Sequence, residues 1–275
     1  MNAARLSCLL LALGFPGAPA CPARPQADPP ARKDPPKGKL GMGFLLTPTT
    51  EGVLPRLTSE RDFVDLVLGP GKVPLVKGIK PPVQVACLSM SLQGMEKTVS
   101  LLKEEGIPPD RILVGYNPEQ REVTPAEELK DLLGSLKRGR ELAGRIKARF
   151  LVGPGLRFME AHEDLYPEAA RLCDAWVIQS QRLQVKPDSR EAVPAQEYRT
   201  RVKKIVDLLR QGNPGIVIIV QILSGRGKGD PLFNAEQIAG YALAIEDLVA
   251  AVRIYGGSKE LILEVLDRIR PPQRP

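Results

Sequence analysis

The sequence predicts an α/β fold, a (β/α) barrel of TIM type with seven or eight βα units. Short β-branched runs alternate with longer helical patterns from residue 40 onward, as expected of βα units that build a parallel sheet. Seven or eight such units in roughly 235 residues match a closed barrel better than an open doubly wound sheet. No Gly-x-Gly-x-x-Gly follows the first strand, which removes the main reason to expect a dinucleotide fold or its cofactor.

The elements follow in order. Met42–Thr47 is the first predicted strand and Val83–Ser89 the second, with Gly94–Glu105 as its helix. Arg111–Tyr116, Ala148–Gly153, Ala175–Ser180, Gly215–Leu223 and the shorter Ala251–Tyr255 complete the set of seven, and Lys259–Arg268 closes the chain as a helix. After the third strand, Thr124 reads as an N-cap, Pro125 as a first-turn residue and Glu127 as the partner in a capping box. Leu129, Leu132, Leu133 and Leu136 then share one face. Tyr198, Val202, Ile205, Val206 and Leu209 repeat that pattern up to Gly212-Asn213-Pro214. Residues 48–82 are irregular, with a short helical stretch at Glu60–Leu68 and room for one further strand at Lys72–Gly78.

Composition narrows the class. The chain has 275 residues, 43% apolar and 26% charged, and no apolar run after the N-terminus reaches the roughly 18 residues of a membrane span. The net charge of +7 is uneven: residues 1–39 hold Arg5, Arg24, Arg32, Lys33, Lys37 and Lys39 against Asp28 and Asp34, a net +4 that leaves +3 for the rest. That remainder shows no basic stripe with interleaved aromatics, so no nucleic-acid partner is expected.

The N-terminus reads as an export signal over residues 1–20: Arg5, a short apolar stretch from Leu6 to Phe15, a break at Pro16-Gly17, and the small-x-small site Ala18-Pro19-Ala20. A Pro-rich linker spans 21–39 and the barrel domain 40–275. Cys21 stands first after the cleavage site. Two outcomes are open: soluble export, or a lipoprotein whose only link to the membrane is a lipid anchor on Cys21, with the prolines as a stiff spacer. Cys87 and Cys173 read as buried small hydrophobes, although an oxidising compartment would permit a disulfide between them. No Cys or His spacing suits a metal, and with one histidine, His162, no zinc site is expected.

Chemistry in such a barrel sits at the C-terminal strand ends. Gln179 and Gln181 share one strand parity, opposite Trp176 and Ile178, and Gln221 shares parity with Val217 and Ile219. A side chain facing the outer helices must be apolar, so these amides, with Gln84, are expected to point inward. An inward amide lining suits sugar hydroxyls or another small polar ligand; a self-satisfied buried glutamine network is the alternative. Tyr116, Arg157 and Tyr255 also fall at strand ends and complete the expected ligand-binding set. Glu119 is the best candidate for a catalytic acid, with Asn117 beside it. No second carboxylate of the usual glycosidase pair stands out. The loop Ser224–Asp230 is Gly-rich and basic without being a phosphate-binding motif of the Walker type.

Asn117-Pro118-Glu119 resembles the Asn-x-Glu or Asp-x-Glu strand-end pair of glycosidases that recruit the substrate's own acetamido group. The resemblance implies that Asn117 orients that group and Glu119 is the acid. With Gly-Tyr-Asn-Pro-Glu, Thr-Pro-Ala-Glu-Glu and Trp-Val-Ile-Gln-Ser-Gln, residues 40–270 look like uncharacterised exported bacterial barrels related to glycoside hydrolases. Asn117 departs from the Asp-x-Glu frequent among them. The expectation is therefore an exported barrel that binds a carbohydrate or similar polar ligand and resembles glycoside hydrolases. Its rival is a non-catalytic binding or scaffolding domain tethered to an envelope. The aromatic content of 1 Trp, 5 Tyr and 6 Phe argues against a long polysaccharide cleft.

Overall fold

The computed structural model describes residues 40–119, 123–187, 189, 191–225 and 233–271. The leader and the proline-rich linker expected over 1–39, with Cys21, lie outside the described residues, as do Arg226, Lys228 and Asp230 of the basic loop. Eight parallel strands close into a barrel: β1 (Gly41–Leu45), β2 (Phe63–Leu66), β3 (Gln84–Ser89), β4 (Ile112–Tyr116), β5 (Arg149–Val152), β6 (Ala175–Gln179), β7 (Val217–Gly225) and β8 (Ala251–Gly256). They pair in sequence order, and β8 returns to β1. Closure leaves no strand edge unpaired.

Around the barrel run α1 (Val73–Gly78), α2 (Leu92–Glu104), α3 (Ala126–Lys130), α4 (Leu132–Gly144), α5 (Leu156–Glu160), α6 (Tyr166–Arg171), α7 (Ala195–Gly212), α8 (Ala235–Ala244) and α9 (Lys259–Ile269). Strand alternation sorts the side chains. Outward residues such as Val85, Val114, Val152, Ile178, Val220 and Val252 join the helices in one apolar layer. Inward, Phe63, Ala86, Leu113, Leu151, Ala175, Val177, Ile219 and Ala251 form a separate small core. The Phe63 ring lies over Gly43, where a Cβ would come within 2.3 Å of it. A ring from β2 thus fills the space that β1 leaves empty.

The lower, N-terminal end of the barrel is tied by Asp62. Its carboxylate accepts the Met42 N–H at 2.9 Å and the Thr58 and Ser59 N–H groups at 2.8 and 2.9 Å. Arg270, just past α9, donates to the same carboxylate and to the Leu40 carbonyl. The end of the last helix is thereby fastened to the first strand.

Four expectations are corrected. Glu60–Leu68 is not helical: it contains β2, whose four residues are all buried. Phe63 and Leu66 suit a helical spacing, but inward Asp65 interrupts the apolar run by which a buried strand is recognised. Lys72–Gly78 holds α1 in place of a strand. Thr124 caps no helix, since Pro125 occupies the N-cap position of α3 without a side-chain cap and no capping box forms. The leucine-rich helix also breaks at Asp131, whose side chain accepts from Gly134 N and starts α4. Cys87 and Cys173 are both buried and free.

Candidate functional site

A cavity of about 720 Å³ opens at the C-terminal mouth of the barrel. Its polar floor follows from strand register. Gln179 on β6, Gln221 on β7 and Arg253 on β8 are partners in one row across three adjacent strands. All three point inward, just above the apolar layer of Val177, Ile219 and Ala251.

Glu119 stands in the loop after β4, beside Asn117. Asn117 Nδ2 donates to Glu119 Oε1 at 3.2 Å. Gln179 Nε2 reaches Asn117 Oδ1 at 3.0 Å, Gly153 O at 2.9 Å and Glu119 Oε1 at 3.5 Å. One amide from β6 thus orients both groups from β4. The loop is pinned on either side: Asn117 N donates to Ser89 O at 2.8 Å and Gly155 N to Pro118 O at 3.0 Å.

A second polar cluster lies on the floor. Arg253 Nε donates to Asp65 Oδ1 at 2.7 Å, Nη2 donates to Asp65 Oδ2, and Nη1 donates to Gln221 Oε1. The guanidinium also lies 5.0 Å from the centroid of the Tyr255 ring. Burial pushes the Asp65 carboxyl above its ordinary range, and Arg253, bound to both oxygens, pulls against that shift. Charges this deep persist only when paired and hydrogen-bonded.

Of the residues expected to form the site, Asn117, Glu119 and Gln179 are hydrogen-bonded together, and Arg157, Gln181, Gln221 and Tyr255 line the same cavity. Gln181 reaches it from a 3₁₀ turn, because β6 ends at Gln179. Gln84 also points inward, but at the opposite end, where it bonds Arg149 and Glu60 O. Tyr116 is corrected. It lies on the outer face of β4, fully buried, and its hydroxyl donates to Glu128 Oε2 at 2.8 Å. Burial and the neighbouring Glu128 push its phenol well above the ordinary range. An apolar ring with one buried partner satisfies the outer layer, and strand parity keeps it from the mouth.

The sequence reading missed Asp65, Arg253 and Arg182, which line the cavity, and the bond by which Thr124 holds the Glu119 N–H. Asp65 was hidden inside a segment that reads as helical. Arg253 could have been found, since it shares inward parity with Tyr255 on β8. It also passed over Gln184, a fully buried residue whose amide donates to Leu223 O at 3.0 Å and accepts Leu223 N–H at 2.8 Å. This amide pairs with the end of β7 as a strand would.

No family profile matches the chain, and no curated protein matches it in sequence. Solved structures do match. The spore cortex-lytic enzyme SleL of Bacillus megaterium QM B1551 superposes with a TM-score of 0.54 at 11% identity, covering 86% of this chain and 75% of that one. A family 18 chitinase from Crocus vernus gives 0.53 at 10% identity, covering 82% and 96%. A putative deoxyribose-phosphate aldolase from Toxoplasma gondii ME49 gives 0.48 at 12% identity, covering 84% and 93%. At such identities the first two likenesses show the barrel fold alone.

Proposed function

We propose that the mouth binds a carbohydrate and cleaves a glycosidic bond next to an N-acetylated sugar, with the substrate's acetamido group as nucleophile. The observation that carries this reading is the Asn117–Glu119–Gln179 cluster at the end of β4. Glu119 donates a proton to the glycosidic oxygen as that bond breaks, and the acetamido carbonyl oxygen adds to the anomeric carbon. Glu119, now a carboxylate, then takes a proton from the water that attacks the same carbon and restores the acetamido group. Asn117 Oδ1 accepts the acetamido N–H and aims the carbonyl. The usual pair of carboxylates is not needed on this route. The other carboxylate in the described lining, Asp65, is held at both oxygens by Arg253. The chitinase and the cortex-lytic enzyme share the fold, while the cluster supports the chemistry.

Chromogenic acetamido-sugar and plain glucoside substrates test the proposal. The acetamido compound should be cleaved preferentially, and Glu119→Gln should lower turnover by about two to four orders of magnitude with the fold intact. Activity unchanged in that variant would remove Glu119 from the mechanism. Binding without any turnover in the wild type would favour the non-catalytic tethered domain. Export belongs to the same proposal: the mature chain should begin at Cys21, and an intact Met1 on protein recovered from the envelope or medium would contradict it. Palmitate labelling lost on Cys21→Ala would separate a lipoprotein from a soluble product.

A further inference from the structure

The floor of the mouth holds N–H donors that face no acceptor. Gln221 is 2% exposed, and Arg253 Nη1 donates to its Oε1. A guanidinium can only donate, so the amide oxygen must face it and Nε2 must point away. No described residue accepts from Gln221 Nε2. Among the described residues the side-chain polar atom both sealed from solvent and unpartnered is Arg270 Nε, at the lower end of the barrel. Gln221 Nε2 is therefore not sealed, and it opens into the cavity that Gln221 lines. Arg253 adds to this donor set, since its bonds to Asp65 and Gln221 use three of the five N–H groups a guanidinium carries. Among the described residues the charged lining is Arg157, Arg182, Arg253, Asp65 and Glu119; Arg182 Nε lies 3.5 Å from the Glu160 carboxylate and Arg253 is bound to Asp65. Glu119 follows β4, across the ring of strands from β8.

We propose that Gln221 and Arg253 form a subsite for a carboxylate carried by the ligand. The inference rests on the reading of the mouth as a sugar site, and it narrows the substrate class to an N-acetylated sugar with an acidic substituent. One carboxylate oxygen takes a Gln221 Nε2–H and the other a remaining N–H of Arg253. Asp65 stays on the Nε–Nη2 edge and keeps the guanidinium oriented. A neutral hydroxyl could satisfy the amide, but a carboxylate offers one oxygen to the amide and the other to the guanidinium, in charge-assisted bonds that a hydroxyl does not make.

Calorimetric titration of the full chain with N-acetylglucosamine and N-acetylmuramate tests this, because the two sugars differ by a lactyl carboxylate. N-acetylmuramate should bind at least about tenfold more tightly. Gln221→Glu keeps an acceptor for Arg253 but replaces the free donor with a negative charge, and it should abolish the preference. Gln221→Met, which adds no charge, should weaken it in the same direction and covers the case in which the first variant does not fold. Equal affinities in the wild type, or an undiminished preference in both variants, would overturn the subsite and leave the sugar reading standing. Binding of neither sugar would overturn the sugar reading and the subsite with it.

Discussion

The hydroxyl of Thr124 accepts the backbone N–H of Glu119 at 3.1 Å. The same hydroxyl donates to the Met90 carbonyl at 2.7 Å, so a buried threonine joins the loop after β4 to the loop after β3. Under the proposed mechanism Thr124 is a positioning residue, since it would act through Glu119. Thr124→Val keeps the shape and removes both bonds. It should cost about 1–3 kcal/mol of stability for the two bonds and lower turnover about tenfold with KM nearly unchanged, while Thr124→Ser restores both. Turnover that follows stability alone across this series would mean that the threonine only supports the fold.

Gly153 leaves room for the Asn117 amide. A Cβ on Gly153 would lie 2.9 Å from Asn117 Oδ1 and 3.1 Å from Val177 Cβ. The amide end can swing away but Val177 cannot, so Gly153→Ala should displace Asn117 and leave the barrel folded. Cleavage of acetamido substrates should fall about tenfold or more, the scale expected when a reacting group is misplaced. An unchanged rate would show that the position of Asn117 is unimportant.

The Asp65–Arg253 pair should show the asymmetry of buried ion pairs. Its side chains are 1% and 8% exposed. Arg253→Met leaves the Asp65 carboxylate buried without its partner and should cost about 3–5 kcal/mol. Asp65→Asn combined with Arg253→Met should cost less than the sum of the single changes. A double-mutant cycle by urea unfolding measures this, and additive losses would mean that the two side chains act independently.

Alkaline pH should destabilise the protein. Burial pushes the Cys87 thiol from its ordinary 9.0 up to about 12 and raises Cys173 further. Burial also raises the phenols of Tyr116, Tyr166 and Tyr198 from 10.0. In the unfolded chain these groups ionise at their ordinary values, while the folded protein keeps their protons. The folded state then binds more protons, so this contribution is complete below about pH 9 and is lost as pH rises. Each group past its unfolded value removes about 1.4 kcal/mol per pH unit. The urea midpoint should hold from pH 7 to about 8.5 and fall steadily between about pH 9 and 11. Native Cys87 and Cys173 should also resist alkylation that proceeds readily in denaturant. A midpoint flat to pH 11 would show that these side chains are solvated.

The barrel class, seven of the eight strands and most residues of the mouth are legible in the sequence. Strand parity is a local property, so an inward glutamine at 179 or 221 can be read from its apolar neighbours. Glu119 and Asn117 are legible for a similar reason, since they follow a strand of obvious composition. Features that depend on partners elsewhere in the chain emerge only in the folded barrel. Asp65 makes β2 look helical until Arg253, 188 residues later, supplies the charge that lets a carboxylate sit inside a barrel. Tyr116 looks like a site residue until Glu128 accepts its hydroxyl in the outer layer. Thr124 has the sequence of a cap, yet it bonds the loops after β3 and β4 because the pairing of those two strands brings the loops together. Polar groups inside a fold are placed by the partners that satisfy them, and those partners meet only once the chain has closed.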